Sequence, residues 1–353
     1  MTWGEIDWAV LERLRGLFLS GGAAQGPYWR SAAELENYDF TYAERIGWKW
    51  DAVLHELDRR GWPPPGASGS TGEHRPAPDQ NGGVAVLDWG CGSGVAGRRV
   101  VRWLGERRVS VLRLWDHSAL ATDFAVQAAR TQFARLAVEH LTPGFLAADA
   151  PVGVLVISHV LNELPAAELF ALRGLASRAE AIIWVEPGTH EISQALIAVR
   201  EQLRDRFRVV APCTHERACG LLSPDNIRHW CHDFAAPPPG IFTDSDWMKF
   251  GHRAGIDLRS LPYSFLVLER RQSDSTNILG GDFSRVIGAP RVYKGFAKVL
   301  NCDAGGVAEL MVQKRDAPAL FKQLRRPAGP LLYRWTRLDQ KITGGDAWRA
   351  TCS

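Results

Sequence analysis

Val86-Leu87-Asp88-Trp89-Gly90-Cys91-Gly92-Ser93-Gly94 decides how this chain is read. A short apolar strand ends in an acid, and three alternate glycines follow it. Glycine lets the backbone turn tightly and approach a ligand at the N-terminus of the next helix. Two ligands compete for such a turn. Gly92-Ser93-Gly94-Val95-Ala96-Gly97 matches the dinucleotide fingerprint, a short pattern of little weight alone. Asp88 argues against a dinucleotide. A carboxylate at the strand end repels a pyrophosphate, but it attracts the ammonium and sulfonium of S-adenosylmethionine. Cys91 reads as a small residue in the turn.

Outward from the turn, strand and helix patterns alternate. Val84 to Leu87 is strand, Val95 to Leu104 helix, Val109 to Leu114 strand, and Ser118 to His140 one long helix. Val152 to Ser158 and Ala181 to Val185 are further buried strands, with a helix from about Ala166 between them. Ile192, Ala195, Leu196, Val199, Leu203 and Phe207 mark an amphipathic helix. This alternation predicts an α/β fold with a doubly wound, mostly parallel sheet. The Asp-x-Gly-x-Gly-x-Gly form resembles motif I of class I methyltransferases, so the expected fold is class I methyltransferase-like, or Rossmann-like.

Candidate cofactor-binding residues follow from that layout. Asp88, Gly90, Gly92 and Gly94 form the turn. Asp116, with His117 beside it, ends the second strand and is placed to accept from ribose hydroxyls. Asp149 is expected to face the adenine amino group, while Ser158 and His159 end a strand where open sheets place ligands. Asn162 and Glu163 read equally well as local caps. No general base stands out. No Asn/Asp-Pro-Pro-Tyr/Phe follows the Val152 strand, so adenine amino methylation in that style is not supported.

The remaining blocks are read from composition. Residues 1–62 carry helical spacing, and 63–83 are rich in Pro, Gly and Ser, as a linker is. The cofactor domain takes 84–272, with a cysteine-rich insertion at 208–240, and 273–353 form a small basic β-rich segment. In that segment Arg291 to Asn301 and Val307 to Lys314 read as two strands around a hairpin-like turn at Asp303-Ala304-Gly305-Gly306. From Arg285 to Ser353 the charge is +8, against −5 for the rest and +3 overall. A basic segment on an acidic body points to a polyanion contact, with a solvated basic surface as the plain alternative. No run approaches a membrane span, and the N-terminus reads as neither a secretory nor a mitochondrial targeting segment. The expected setting is a bacterial cytoplasm, and the expected state a monomer.

Cys213, Cys219 and Cys231 fall within nineteen residues. Clustered thiols in a reducing compartment suggest a metal rather than disulfides. Their spacing is not the Cys-x-x-Cys of a zinc ribbon. His215, His229 and His232 are alternative ligands, and Cys302 offers a fourth thiolate.

The combination resembles the methyltransferase-like family of mitochondrial small-ribosomal-subunit assembly proteins and their bacterial relatives. The stretches that carry it are Leu87–Gly94, Ser158-His159-Val160-Leu161-Asn162-Glu163-Leu164-Pro165, Val185–Thr189, Ala211–Glu216, Trp230-Cys231-His232 and Val299–Cys302. The resemblance implies a [4Fe–4S] cluster on Cys213, Cys219, Cys231 and Cys302, with zinc as the alternative, and small-subunit ribosomal RNA or its precursor particle as the partner. It also implies one of two roles: methylation of that RNA, or assembly without methyl transfer. A small-molecule methyltransferase is the third reading, which the basic segment disfavours.

Overall fold

The computed structural model describes residues 1–22, 26–65, 82–271, 282–327 and 329–348. The N-terminal helices are α1 (Trp8–Ser20), α2 (Ala32–Tyr38) and α3 (Glu44–Arg59). Then follow β1 (Val84–Trp89), α4 (Val95–Leu104), β2 (Val109–Trp115), α5 (Ala119–Gln132), β3 (Ala137–His140), α6 (Pro143–Ala147), β4 (Val152–Ser158), α7 (Ala166–Ala176) and β5 (Ala179–Pro187). The rest comprises α8 (His190–Leu203), β6 (Phe207–Ala211), β7 (Asp233–Phe234), α9 (Ser245–Arg253), β8 (Pro262–Arg270), β9 (Ser284–Val292), β10 (Phe296–Asp303), β11 (Gly306–Gln313), α10 (Pro318–Arg325), β12 (Leu332–Leu338) and β13 (Lys341–Ala347).

Two compact units emerge. The first takes 1–54, 63–186 and 235–261, and the second 55–62, 187–234 and 262–353. Each unit therefore draws on separated stretches of chain, unlike the linear blocks that composition suggests. Most of the expected linker, 66–81, and the expected boundary at 272/273 lie outside the described residues.

In the first unit five strands run parallel in the order β3-β2-β1-β4-β5. Val154 to Ile157 and Ala181 to Val185 are sealed from solvent. Such continuous apolar runs suit strands covered on both faces. The order reverses at the β1/β4 pair, the place where doubly wound sheets hold ligands. This is the class I methyltransferase-like α/β arrangement. The long helix expected from Ser118 to His140 is two elements. Ser118 caps α5, which stops at Gln132, and β3 then pairs with β2. Only Val138 of β3 is buried, so no apolar run announces that edge strand. Leu14, Trp29, Leu35 and Ala121 bind α1 and α2 to α5, and Ile6, Leu11, Phe250 and Ala254 bind α1 to α9. Among the described residues no helix is long and apolar enough to cross a membrane.

In the second unit β6 and β7 both pair antiparallel with β8. The last five strands close into a barrel in the order β10-β11-β13-β12-β9. Leu320, Phe321 and Leu324 of α10 pack into its core with Val286, Val299, Leu310, Val312 and Ile342. The single strand expected from Arg291 to Asn301 is broken, because Tyr293–Gly295 form a turn between β9 and β10.

Candidate cofactor and metal sites

At the C-terminal end of β1 the chain turns through Gly90, Gly92 and Gly94, all at positive φ. At Gly90 an added Cβ would lie 2.8 Å from Val160 Cγ1, in the loop after β4. The turn is thus pressed against the β4 loop, and a side chain there would force them apart. Gly92 faces open space, so a ligand can reach its backbone. Asp88 is fully buried. Its Oδ2 accepts from Gly97 N–H at 2.8 Å, while Oδ1 has no partner. Burial pushes this carboxyl up to about 7, against the backbone donor, with the nearby Asp116 charge adding to the rise.

Asp116 follows β2. Its Oδ2 accepts from Gly92 N–H and its Oδ1 from Ser118 N–H, each at 2.9 Å. The carboxylate is therefore aimed at the glycine turn by the two loops it joins. His117 is exposed, with Nδ1 3.6 Å from Asp116 Oδ1. Asp149 is exposed before the first residue of β4, at the opposite strand end from Ser158 and His159. In a parallel sheet that is the edge away from the glycine turn. The expected adenine contact is corrected on that ground, since the strand direction carries Asp149 away.

Ser158 and His159 do meet at the ligand edge, and α3 supplies partners that sequence reasoning missed. Lys49 Nζ stands 3.3 Å from His159 Nε2, and Trp50 Nε1 donates to Ser158 Oγ at 2.9 Å. Ser158 Oγ lies 3.1 Å from His159 Nδ1, and His159 has a positive φ of 57°. Burial, then the nearby Arg45 charge, pulls the Lys49 ammonium down to about 7. Burial, then Lys49, holds His159 well below the ordinary imidazole range. Glu186, at the end of β5, accepts from Trp184 Nε1 and from the N–H groups of Val160 and Leu161. Its other oxygen is buried without a partner. Tyr28 O–H donates to Glu163 at 3.4 Å. Burial, then the charges of Asp116 and Glu186, pushes Glu163 up to about 8. The sequence signal for α3 is the helical spacing of Trp48, Val53, Leu54 and Leu57, which does not single out Lys49 or Trp50.

The second unit brings the four cysteines together. Cys213, Cys219 and Cys231 line one cavity with Ile197, Arg200 and Phe265. Cys219, Cys231 and Cys302 pack against Ile197, Leu221 and Ile287. A Cβ at Gly220 would lie 2.9 Å from Val307 N, so the Cys219 segment rests directly on β11, where Val307 pairs with Cys302. All four are free thiols. Burial pushes Cys219 up to about 11, and Cys231 and Cys302 also well above the ordinary thiol. Yet among the described residues no three His, Cys, Asp or Glu side chains are placed to hold a metal ion. Cys302 Sγ lies 3.7 Å from His215 Nε2, while His229 bonds through its carbonyl to Gln194.

Buried charges fix the backbone around Cys213. Arg60 donates to the carbonyls of Val210 at 2.7 Å, Pro212 at 2.8 Å and Cys213 at 3.2 Å. Glu56 pairs with Arg60 at 2.6 Å and Arg285 at 2.7 Å, and Arg285 also pairs with Asp233 at 2.8 Å. Burial opposes ionisation of Glu56, but Arg285 and Arg60 outweigh it and hold its carboxyl at about 2. Glu56 and Arg60 are four residues apart, but Asp233 and Arg285 come from distant stretches of chain, so the cluster as a whole leaves no local pattern in the sequence.

A family model described as mitochondrial small ribosomal subunit Rsm22 matches residues 86–335. The chain belongs to the Rsm22 family. The matched stretch begins in β1 and ends in β12, so it includes the glycine turn and all four clustered cysteines. No curated protein matches the chain. Solved structures are similar at low identity. Magnesium protoporphyrin IX methyltransferase from Synechocystis PCC 6803, solved with bound SAH, shares 15% identity over 74% of this chain and 99% of its own, with a TM-score of 0.37. An rRNA methylase from Streptococcus thermophilus shares 11% over 54% of this chain and 88% of its own, with a TM-score of 0.32.

Proposed function

We propose that this Rsm22-family protein binds S-adenosylmethionine in its first unit and acts on the small ribosomal subunit, at its RNA or a precursor particle. The observation that carries the cofactor reading is the sealed Asp88 carboxylate with a partnerless oxygen, beside an open Gly92 and a positioned Asp116. A buried polar atom without a partner costs free energy that a cationic ligand relieves. Asp88 and the turn would hold the methionine end, and Asp116 the ribose. When bound, the cofactor supplies an electrophilic methyl group. Lys49, held near neutrality beside His159, is the side chain best suited to take a proton from an acceptor atom. A second reading, assembly without methyl transfer, is favoured by the family description, which names a ribosomal component and not an enzyme.

The proposal extends to a [4Fe–4S] cluster on Cys213, Cys219, Cys231 and Cys302. Four thiols around one apolar cluster fit all-cysteine ligation. Ligands of one zinc ion must converge on a single point at about 2.3 Å. Ligands of a cluster each bind a different iron and stand farther apart. The resemblance of these four positions to the family's cluster ligands, not the placement of the thiols, is what favours the cluster over zinc. Its role would be to join the Cys213–Cys231 segment to the barrel strand that carries Cys302.

In-cell crosslinking followed by RNA sequencing tests the ribosomal reading. Recovery of a defined small-subunit site supports it, and recovery of no ribosomal RNA overturns it.

A further inference from the structure

We infer that the C-terminal barrel is a single-stranded RNA-binding module, with the occupied surface formed by the β9–β10 turn, the β12–β13 turn and the outer face of β10–β11 at the end away from Cys302, Phe296–Lys298 and Met311–Lys314. Numbered within the barrel, the five strands close in the order 1-2-3-5-4, with the third and fifth parallel and α10 between the third and fourth. That is the topology of the OB barrel, which takes oligonucleotides on the face of strands 2 and 3, between the 1–2 and 4–5 loops. Both loops flank that face here. Lys314 N–H donates to Gly295 O at 2.9 Å, and Met311 N–H donates to Gln340 O at 2.9 Å.

The surface carries the two features that single strands require. Tyr293, 47% exposed, stacks on Phe296 with centroids 4.5 Å apart and planes at 16°, which leaves an outer ring face for a base. Lys294 follows Tyr293 in the turn, Arg291 pairs with Lys298 across β9–β10, Lys314 bonds to the turn at Gly295 with Arg315 beside it, and Lys341 pairs with Met311, the neighbour of Lys298. Glu309 bridges Arg291 and Lys298, and Asp316 pairs with Lys341 at 2.7 Å. Lys294 and Lys314 have no acidic partner among the described residues and are free to meet phosphates. The inner side of the same strands is sealed by Val299, Leu310 and Val312, and Leu300, Cys302 and Val307 of the outer face pack against Ile197 and Leu221, so the end of the outer face nearest the two turns is what remains available.

This inference rests on the ribosomal-RNA reading but can fail separately from it. The test is fluorescence anisotropy of the full-length protein with a labelled single-stranded RNA of about 16 nucleotides and a blunt duplex of the same length. The expected result is tighter binding of the single strand, about tenfold weakening by Tyr293→Ala, and near-complete retention by Tyr293→Phe. The double variant Lys294→Glu/Lys314→Glu should weaken binding and flatten the logarithmic salt slope by about 0.7 for each phosphate that is no longer neutralised. No binding, preference for the duplex, or wild-type affinity in both the Tyr293→Ala and the double variant would overturn it. If those variants bind normally while the protein still crosslinks small-subunit RNA in cells, this surface is wrong and the ribosomal reading stands. If they lose the single strand and cells yield no ribosomal RNA, the surface stands and the ribosomal reading falls.

Discussion

At the glycine turn, two backbone N–H groups hold Asp116 at 2.9 Å each, and Asp88 is locked by Gly97. In the cysteine pocket Cys213, Cys219 and Cys231 line one cavity with Ile197, and Cys302 packs on the same isoleucine, but among the described residues no three ligand side chains are placed to hold a metal ion. The first site is shaped by its own backbone, so its ligand finds it ready. At the second only the frame is set, by Arg60 and Arg285 around Cys213, and the proposed cluster would complete the geometry. If both proposals hold, binding and folding are separable in the first unit and coupled in the second.

The largest expected effect breaks the second site. Cys302→Ser should remove most of the bound iron from anaerobically purified protein and lower Tm by on the order of 10 °C, since ligation energy there is folding energy. Colourless, iron-free wild-type protein would refute the cluster itself. Next comes the frame. Arg285→Met leaves Asp233 buried without its ion pair and Glu56 with Arg60 alone, which costs about 3–5 kcal/mol in urea unfolding. A loss below about 1 kcal/mol would mean that the buried ion cluster is not what holds the Cys213 segment.

The smallest effect sharpens the first site. Asp88 at about 7 and Glu163 at about 8 are held above the ordinary carboxyl range in the folded chain. Their unfolded values are near 4, so the unliganded protein binds extra protons and loses stability as pH rises from about 5 to 8. A cationic ligand favours the ionised forms. S-adenosylmethionine binding at pH 7 should therefore release protons, and affinity should rise toward pH 8. Titrations in buffers of different ionisation enthalpy measure this, and zero proton release would contradict the pairing of ligand cations with these carboxylates.

What the sequence made legible follows the same division. Asp88, the glycines and Asp116 could be read because their chemistry lies within one strand-turn-helix unit and the next strand end. The parallel sheet was legible from its apolar runs, but β3 was not, because it buries one side chain. Asp149 was misplaced because strand direction, not sequence proximity, decides which residues reach the ligand edge. Lys49 and the Glu56–Arg60–Arg285–Asp233 cluster required packing between distant stretches of chain. The barrel was half legible: its β10–β11 hairpin has a turn signal, whereas its closure depends on the parallel pairing of β11 with β13.

The central claim is that the glycine turn binds S-adenosylmethionine through the carboxylates it gathers. Isothermal titration of S-adenosylmethionine into the wild-type protein and Asp116→Ala tests it most directly. The account predicts one-to-one binding that the substitution weakens about tenfold or more, the loss of a charged hydrogen-bond acceptor. No binding to the wild type, or equal affinity in the two proteins, would contradict it.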